Sequence, residues 1–162
     1  MGPIRKWLRN GIVAAVAEKV KAETDFSPTS FWDSSWGGSG YYIWGYGSRS
    51  PGPGMSITPE IANAQLAAGI RTAVDEFTDI FQFCPVDICE VRMSALVRLL
   101  YYAGLPRFMR MHKMIAAIFK GDWDDAAYQL RSDPWYDDNG QKARTIVSEL
   151  RDCGRARKEW KD

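Results

Sequence analysis

Two carboxylates and one glycine-aromatic segment are the residues of this chain best suited to chemistry. Glu23 and Asp33 precede the sequence GYYIWGYG at residues 40–47. A carboxyl group can donate a proton, and a carboxylate can stabilise developing positive charge. Aromatic and β-branched residues favour strands, while closely spaced glycines permit turns or the close approach of a ligand to the backbone. This layout is typical of a small sheet beside a cleft large enough for a sugar.

A helix before Glu23 must position this carboxylate. Apolar residues recur at helical spacing over residues 3–22, which predicts an amphipathic helix. This apolar face consists of Ile4, Trp7, Leu8, Ile12, Val16 and Val20. A signal peptide or membrane anchor is the alternative, but the apolar run GIVAAVA is short and ends at Glu18 and Lys19. We therefore expect a helix without stable membrane insertion.

A long helix is expected after the sheet. Thr58, Pro59 and Glu60 supply a hydroxyl N-cap, a proline at the first helical position and an acid near the positive end of the helix dipole. An apolar stripe then continues to about residue 79. Its members are Leu66, Ile70, Ala73, Val74 and Phe77. One continuous helix over residues 57–80 would be roughly 30 Å long, enough to join a sheet-bearing lobe to a helical lobe with a cleft between them.

The rest of the chain is expected to be helical. An apolar helix follows Pro85 and Asp87 and stops at the sequence GLP at residues 104–106. We expect one helix over about residues 107–119, a short helix capped by Asp122, and a last long helix over residues 141–152. Two tryptophans, Trp123 and Trp135, are expected to be substantially buried in this lobe. The charged segment from residue 154 is expected to be peripheral.

Composition and charge narrow the class of protein. The chain has 162 residues, enough for one domain or two small lobes with a real core. Its formal net charge of +1 argues against a strongly basic nucleic-acid-binding protein. Cys84, Cys89 and Cys153 lack metal-ligand spacing, and the single histidine, His112, does not complete a zinc site with them. We interpret the three cysteines as reduced thiols.

Several segments together resemble one known family. The sequence at residues 40–47 is similar to the glycine-aromatic hairpin of phage-type lysozymes, the endolysin muramidases of glycoside hydrolase family 24. The sequence ITPEIA at residues 57–62 is similar to the start of their lobe-linking helix. The C-terminal match is the strongest. It comprises WDDAA at residues 123–127, Leu130, WY at residues 135–136, KAR at residues 142–144 and IV at residues 146–147.

The resemblance covers about residues 16–150 and implies an α+β, lysozyme-like fold. We expect a single domain over residues 1–162. It would contain a lobe with a small antiparallel sheet at about residues 16–57, a linking helix at about residues 58–79, and a helical lobe at about residues 80–152.

The same resemblance implies cleavage of the β-1,4 bond between N-acetylmuramic acid and N-acetylglucosamine in peptidoglycan. Glu23 matches the family's catalytic glutamate at the end of the first helix and would protonate the leaving oxygen, in a cleft apolar enough to keep it protonated. Glu18 is the competing candidate, although Ala17 and Lys19 beside it indicate a solvated helix face. Asp33 would stabilise the oxocarbenium-like transition state or hold the attacking water. The alternative for Asp33 is a loop aspartate that caps a turn.

The resemblance also suggests binding residues and partners. The expected substrate contacts are Tyr41, Tyr42, Ile43, Ser48 and Tyr102. The expected partner is bacterial peptidoglycan, and no cofactor, metal ion or nucleic acid is expected. The protein is expected to be a monomer unless it is part of a virion, and to reach the periplasm and cell wall after release from the host cytoplasm.

Three positions depart from the family's pattern. Ile43 stands where the family has a threonine that orients the nucleophilic water, and Ser48 stands where many members have a histidine. The acid that normally partners this histidine falls at or near Gly69. The segment between Asp33 and the hairpin is also longer than usual. Hydroxyls of Ser34, Ser35, Tyr41 or Tyr42 are candidates to replace the threonine.

These departures favour two alternatives to a hydrolase. The sequence ETDFSP at residues 23–28 resembles the signature around the single catalytic glutamate of soluble lytic transglycosylases, which need neither a second carboxylate nor the threonine. The Gly-Leu-Met-Gln-type segment of those enzymes is absent from this sequence. The other alternative is a virion protein that keeps the fold to bind peptidoglycan and has lost turnover.

Overall fold

The computed structural model describes residues 6–34 and 40–153, with side chains described from residue 11 onward. These ranges contain eight helices and three strands. The helices are α1 (Lys6–Glu23), α2 (Pro59–Phe81), α3 (Glu90–Ala103), α4 (Leu105–Arg110), α5 (His112–Phe119), α6 (Trp123–Arg131), α7 (Pro134–Asp138) and α8 (Gly140–Arg151). The strands are β1 (Ser27–Asp33), β2 (Tyr41–Gly45) and β3 (Ser48–Arg49).

The three strands form one small antiparallel sheet in the order β1-β2-β3. Phe31 of β1 pairs with Ile43 of β2, and Trp44 pairs with Ser48 across the tight β2–β3 turn. Gly47 has a φ of 90° in this turn, a conformation that favours glycine. Strand β1 was not expected, since its sequence SPTSFWD has little strand patterning before Phe31. The chain is mostly helical with this sheet near its N-terminal end, which confirms the predicted α+β class.

The long helix α2 joins two hydrophobic clusters. The smaller cluster packs β2 against the start of α2 through Trp44, Ile57 and Ala62, and the Trp44 indole N–H donates a hydrogen bond to Gln65 Oε1 at 3.1 Å. From Leu66 onward the buried side of α2 lies in the larger cluster, with buried side chains of α1 and α3–α8. We call β1–β3 and the segment that follows them to residue 57 the sheet lobe, and α3–α8 the helical lobe.

The predicted start and continuity of α2 are confirmed. The Thr58 hydroxyl oxygen accepts a hydrogen bond from the Ile61 backbone N–H at 3.3 Å, and Pro59 occupies the first turn. All five predicted members of the apolar stripe are buried. The helix runs without a break through Gly69, so a single rigid element connects the sheet to the larger core.

Helix α1 brings Glu23 to the core. It begins at Lys6 and ends at Glu23, close to the predicted residues 3–22. Val13, Val16 and Val20 are buried against the larger cluster. Because these valines are spaced three and four residues apart, they form the inner face of α1, and Glu23 follows on the last turn.

The predicted single helix over residues 107–119 is wrong. Met111, with φ −78° and ψ 55°, separates α4 from α5. Phe108 in α4 and Met114 in α5 are both buried in the larger cluster. The turn at the buried Met111 allows both short helices to face this core, which one straight helix would not do.

Helix α7 was also not expected. The Asp133 carboxylate accepts a hydrogen bond from the Trp135 backbone N–H at 2.9 Å and starts this short helix. Trp135 is 2% exposed, which confirms its predicted burial. Trp123 is partly buried, with the guanidinium of Arg92 4.3 Å from its ring centroid. The predicted stop of α3 is confirmed at Gly104, whose φ is 82°.

The expectation of three reduced cysteines is wrong for two of them. Cys89, at the start of α3, and Cys153, after α8, form a disulfide. Cys84 is a buried free thiol, as expected. The fold of the helical lobe brings Cys89 and Cys153 together although they are 64 residues apart in sequence. The spacing of cysteines in a sequence does not by itself show such a pairing.

Some predicted features lie outside the described residues. They are Ser35 in the segment before the hairpin, Ile4 and the side chains of Trp7 and Leu8 in the first helix, and the charged segment from residue 154. Within residues 6–34 and 40–153, no helix is both long and apolar enough to cross a membrane.

Candidate active site

Glu23 is held by two side chains of α3. The Tyr102 hydroxyl donates a hydrogen bond to Glu23 Oε2 at 2.6 Å, and Arg98 Nη2 lies 3.3 Å from Glu23 Oε1. Arg98 and Tyr102 are four residues apart, so they lie on the same face of α3. The Glu23 side chain is 15% exposed. The end of α1 and one face of α3 therefore fix the position of this carboxylate.

Glu23 is the end of a row of four side chains with alternating charges. Arg98 is fully buried, and its Nη2 lies 2.7 Å from Glu149 Oε2. Lys19 Nζ lies 2.8 Å from the other oxygen of Glu149. The row Lys19, Glu149, Arg98 and Glu23 carries no net charge when all four groups are ionised. Buried charges require such pairing, because leaving one alone in a low-dielectric interior is costly.

A cavity of about 270 Å³ separates the sheet lobe from the helical lobe. Its lining includes Phe31, Asp33 and Ile43 on the sheet side. On the helical side it includes Tyr102 and Lys142. The complete lining is Thr24, Asp25, Phe31, Asp33, Ile43, Tyr46, Gly47, Tyr101, Tyr102, Ala103, Arg107, Trp135, Asn139 and Lys142. The cavity thus lies where the sequence predicted a cleft.

Glu23 lies next to this cavity but is not one of its lining residues. Its neighbours Thr24 and Asp25 line the cavity, and so does its hydrogen-bond partner Tyr102. Asp33 lines it directly. Burial, and then the charge of Glu23, raise the pKa of Tyr102. Tyr102 is therefore a neutral phenol that donates its proton to the Glu23 carboxylate in a hydrogen bond.

Lys142 interacts electrostatically with both of the predicted catalytic carboxylates. Burial lowers the pKa of Lys142, while the charges of Asp33 and Glu23 act in the opposite direction. Its ammonium group also lies 4.6 Å from the centroid of the Tyr102 ring. Lys142 is thus a cation of α8 beside Tyr102, and the charges of both Asp33 and Glu23 act on it.

The structure brings some of the predicted substrate contacts to the cavity and not others. Ile43 and Tyr102 line it, whereas Tyr41, Tyr42 and Ser48 do not. The Arg49 guanidinium covers the Tyr41 ring at 3.6 Å. The Tyr42 ring packs edge-on against Trp32 with centroids 5.1 Å apart, and Trp32 remains exposed. These aromatic residues form the outer part of the sheet lobe.

Tyr101 lies beside Ser48 and Gly69, which are two of the three positions where the sequence departs from the phage-type lysozyme pattern. Its hydroxyl donates a hydrogen bond to the Tyr46 carbonyl at 2.8 Å. Burial raises the pKa of Tyr101, and a hydrogen bond with Ser48 acts in the opposite direction. A Cβ atom at Gly69 would lie 2.9 Å from the Tyr101 ring. Tyr101 therefore links α2, α3 and the β2–β3 turn at the edge of the cavity.

Sequence reasoning did not identify Arg98, Arg107 or Asn139. Arg98 did give a signal, since it is a single charged residue within the apolar helix sequence ALVRLLYYA. An arginine on the inner side of such a helix needs an acidic partner. Its partner Glu149 is 51 residues away along the chain, so sequence spacing could not identify it.

Compared with models of known protein families and with curated protein sequences, the chain matches none. Among residues 6–34 and 40–153, no group of three or more histidine, cysteine or acidic side chains is placed to hold a metal ion. The geometry of Glu23, Asp33 and the cavity is the basis for the functional proposal that follows.

Proposed function

We propose that this protein is a muramidase that cleaves the β-1,4 bond between N-acetylmuramic acid and N-acetylglucosamine in peptidoglycan. The observation that carries the proposal is the arrangement of Glu23 and Asp33. Glu23 is largely buried at the end of a helix, accepts a hydrogen bond from Tyr102 and forms an ion pair with Arg98. Asp33 lines the cavity between the two lobes, and the charges of both carboxylates act on Lys142. Paired carboxyl groups beside a cleft are the groups that glycoside hydrolysis requires.

In the proposed reaction, Glu23 first takes up a proton and then gives it to the leaving glycosidic oxygen. The hydrogen bond from Tyr102 and the contact with Arg98 limit the rotation of the Glu23 carboxyl group. Asp33 stabilises the oxocarbenium-like transition state or holds the attacking water. Phe31, an exposed aromatic residue on the cavity lining, provides apolar surface of the kind on which sugar rings pack.

The test is hydrolysis of purified peptidoglycan, followed by the masses of the released muropeptides. A reducing end that carries added water is the expected product. Glu23→Gln should lower the rate by roughly 10²- to 10⁴-fold, the usual contribution of a positioned acid. Glu18→Gln is the matched control, because Glu18 is 77% exposed and pairs only with Lys21 at 3.6 Å. An unchanged rate in well-folded Glu23→Gln protein contradicts the assignment of the acid.

A lytic transglycosylase is the second candidate, and the position of Ile43 favours it. This apolar side chain lines the cavity where the family's threonine would orient water. A transglycosylase uses the sugar's own 6-hydroxyl as nucleophile and releases an anhydromuramyl end, so it needs no water partner. The muropeptide masses separate the two reactions. Binding to peptidoglycan without release of any muropeptide would contradict both and favour a binding protein.

A further inference from the structure

Among the described residues, Arg107 is a cation on the cavity wall that forms no ion pair. It lies on α4, is half-buried and lines the cavity together with Asn139 and Lys142. Across residues 6–34 and 40–153, its side chain makes no ion pair or hydrogen bond. Lys142 differs, because the charges of Asp33 and Glu23 act on it. Of the two cations on this lining, Arg107 is therefore the one whose charge is available to bind another molecule.

The chemistry of arginine indicates which group that molecule carries. A guanidinium presents several N–H donors in one plane, which matches the two oxygens of a carboxylate. Partial burial in the cavity wall reduces screening by water and salt, so an anion bound there gains more than it would on an open surface. Polymers of N-acetylglucosamine alone carry no carboxylate. Glycans that contain muramic acid do carry carboxylates.

We propose that Arg107 binds a carboxylate of the glycan and so makes the cavity select muramic-acid-containing strands over neutral ones. This inference rests on the proposed function for the identity of the glycan. Arg107 is a specificity-determining residue here, separate from Glu23 and Asp33. Asn139, which also lines the cavity, donates a hydrogen bond from Nδ2 to the Trp135 carbonyl at 2.6 Å, and the second hydrogen of this amide can donate to a carboxylate or to a sugar hydroxyl.

The carboxylate has two sources in peptidoglycan. In strands without peptides, the lactyl group of muramic acid ends in a free carboxylate. In intact strands that group is bound in an amide to the stem peptide, and the carboxylates belong to the peptide. Three oligosaccharides of equal length distinguish the sources: a peptide-free muramic-acid-containing glycan, the same glycan with stem peptides, and a neutral N-acetylglucosamine oligomer.

The first measurement is binding by calorimetry in a Glu23→Gln background, where turnover is suppressed. Arg107→Gln should weaken binding of at least one carboxylate-bearing glycan by about tenfold or more, the effect of removing a charge-assisted bidentate contact. Binding of the neutral oligomer should stay the same. Arg110→Gln is the matched control: it removes the same charge from the same helix, is exposed and does not line the cavity. It should leave all three affinities unchanged.

The second measurement uses the otherwise unaltered chain, in case Glu23→Gln protein does not fold. On peptidoglycan, Arg107→Gln should raise KM about tenfold with kcat retained, since the lost contact is the same in ground and transition states. Equal weakening for the neutral oligomer, equal weakening by Arg110→Gln, or no change in affinity and KM overturns the inference.

The two proposals fail separately. If the protein binds carboxylate-bearing glycans through Arg107 but releases no muropeptide, the proposed activity is wrong and this inference stands. If it releases muropeptides and Arg107→Gln behaves as the unaltered chain, the activity stands and this inference is wrong. Failure to bind any carboxylate-bearing glycan also overturns the inference.

Discussion

Replacing Glu149 by glutamine tests the role of the buried charge row in stability. Glu149 accepts from Arg98 Nη2 at 2.7 Å and from Lys19 Nζ at 2.8 Å. Glutamine keeps the size of the side chain and removes its negative charge. In Glu149→Gln protein, Arg98 and Lys19 lose the carboxylate that they share, and the carboxylate contact that remains to Arg98 is the longer one, with Glu23 at 3.3 Å.

The expected loss is large because of where Arg98 lies. Its side chain is 0% exposed, so water cannot replace the lost partner. Removing one partner of a buried ion pair typically costs about 3–5 kcal/mol. Glu23 still compensates part of the charge, and the partly exposed Lys19 can turn to water, so we expect the lower end, about 3 kcal/mol. For a protein of this length, that lowers Tm by roughly 6–12 °C.

Thermal unfolding followed by circular dichroism measures this effect. Glu18→Gln is the control, since it also removes one carboxylate from an ion pair with a lysine, here at the surface. Such an exposed pair contributes only about 0.2–0.5 kcal/mol, so Tm should change by less than about 2 °C. Equal, small changes in both variants would refute the argument that the row is a buried, coupled unit.

Four further variants test the site, the disulfide and the core. If the chain is a hydrolase, Ile43→Thr should raise the rate several-fold and Asp33→Asn should abolish activity. If it is a transglycosylase, Ile43→Thr should divert product to the hydrated form and Asp33→Asn should have little effect. The masses of the released muropeptides distinguish these outcomes. Cys89→Ser with Cys153→Ser should lower the free energy of unfolding by up to about 4 kcal/mol, from the 64-residue separation, and a denaturant midpoint equal to that of the unaltered chain would contradict this. Trp135→Ala should cost about 3–5 kcal/mol because the ring is fully buried, measured by the same denaturation.

The features that sequence predicted well are those set by nearby residues. The N-cap Thr58, the first-turn Pro59 and the stripe from Leu66 to Phe77 determine α2 within one segment, and the structure confirms all of them. The α-helical termination at Gly104 is equally local, because a positive φ suits glycine. Such signals need no knowledge of the rest of the fold.

The features that sequence did not predict depend on distant packing. Met111 has no helix-breaking chemistry, and α4 separates from α5 because both must cover the same core. The Cys89–Cys153 disulfide exists because α3 and α8 lie side by side, which spacing in the chain does not reveal. Strand β1 can be recognised only from its pairing with β2. The adjacent residues Phe31 and Trp32 both remain exposed, so the segment has no alternation of buried and exposed side chains that would mark it as a strand.

For the candidate site, the sequence supplied the carboxylates and not the groups that hold them. Glu23 and Asp33 could be selected from their place relative to a helix end and a hairpin. Tyr102, expected only as a substrate contact, instead donates a hydrogen bond to Glu23. Arg98 of α3 lies 3.3 Å from Glu23, the charge of Glu23 also acts on Lys142 of α8, and only the packing of the helices brings these groups together.

The three departures from the family's pattern have different structural consequences. Tyr101 compensates for the departures at Ser48 and Gly69. Its ring occupies the space that a side chain at Gly69 would need, and its hydroxyl donates a hydrogen bond to the Tyr46 carbonyl. The β2–β3 turn thus keeps a fixed position at the cavity edge, where Tyr46 and Gly47 form part of the lining. At Ile43 the apolar side chain itself lines the cavity. In the proposed muramidase, we therefore expect the choice between attack by water and attack by the sugar's own hydroxyl to depend on Ile43, and not on the β2–β3 turn.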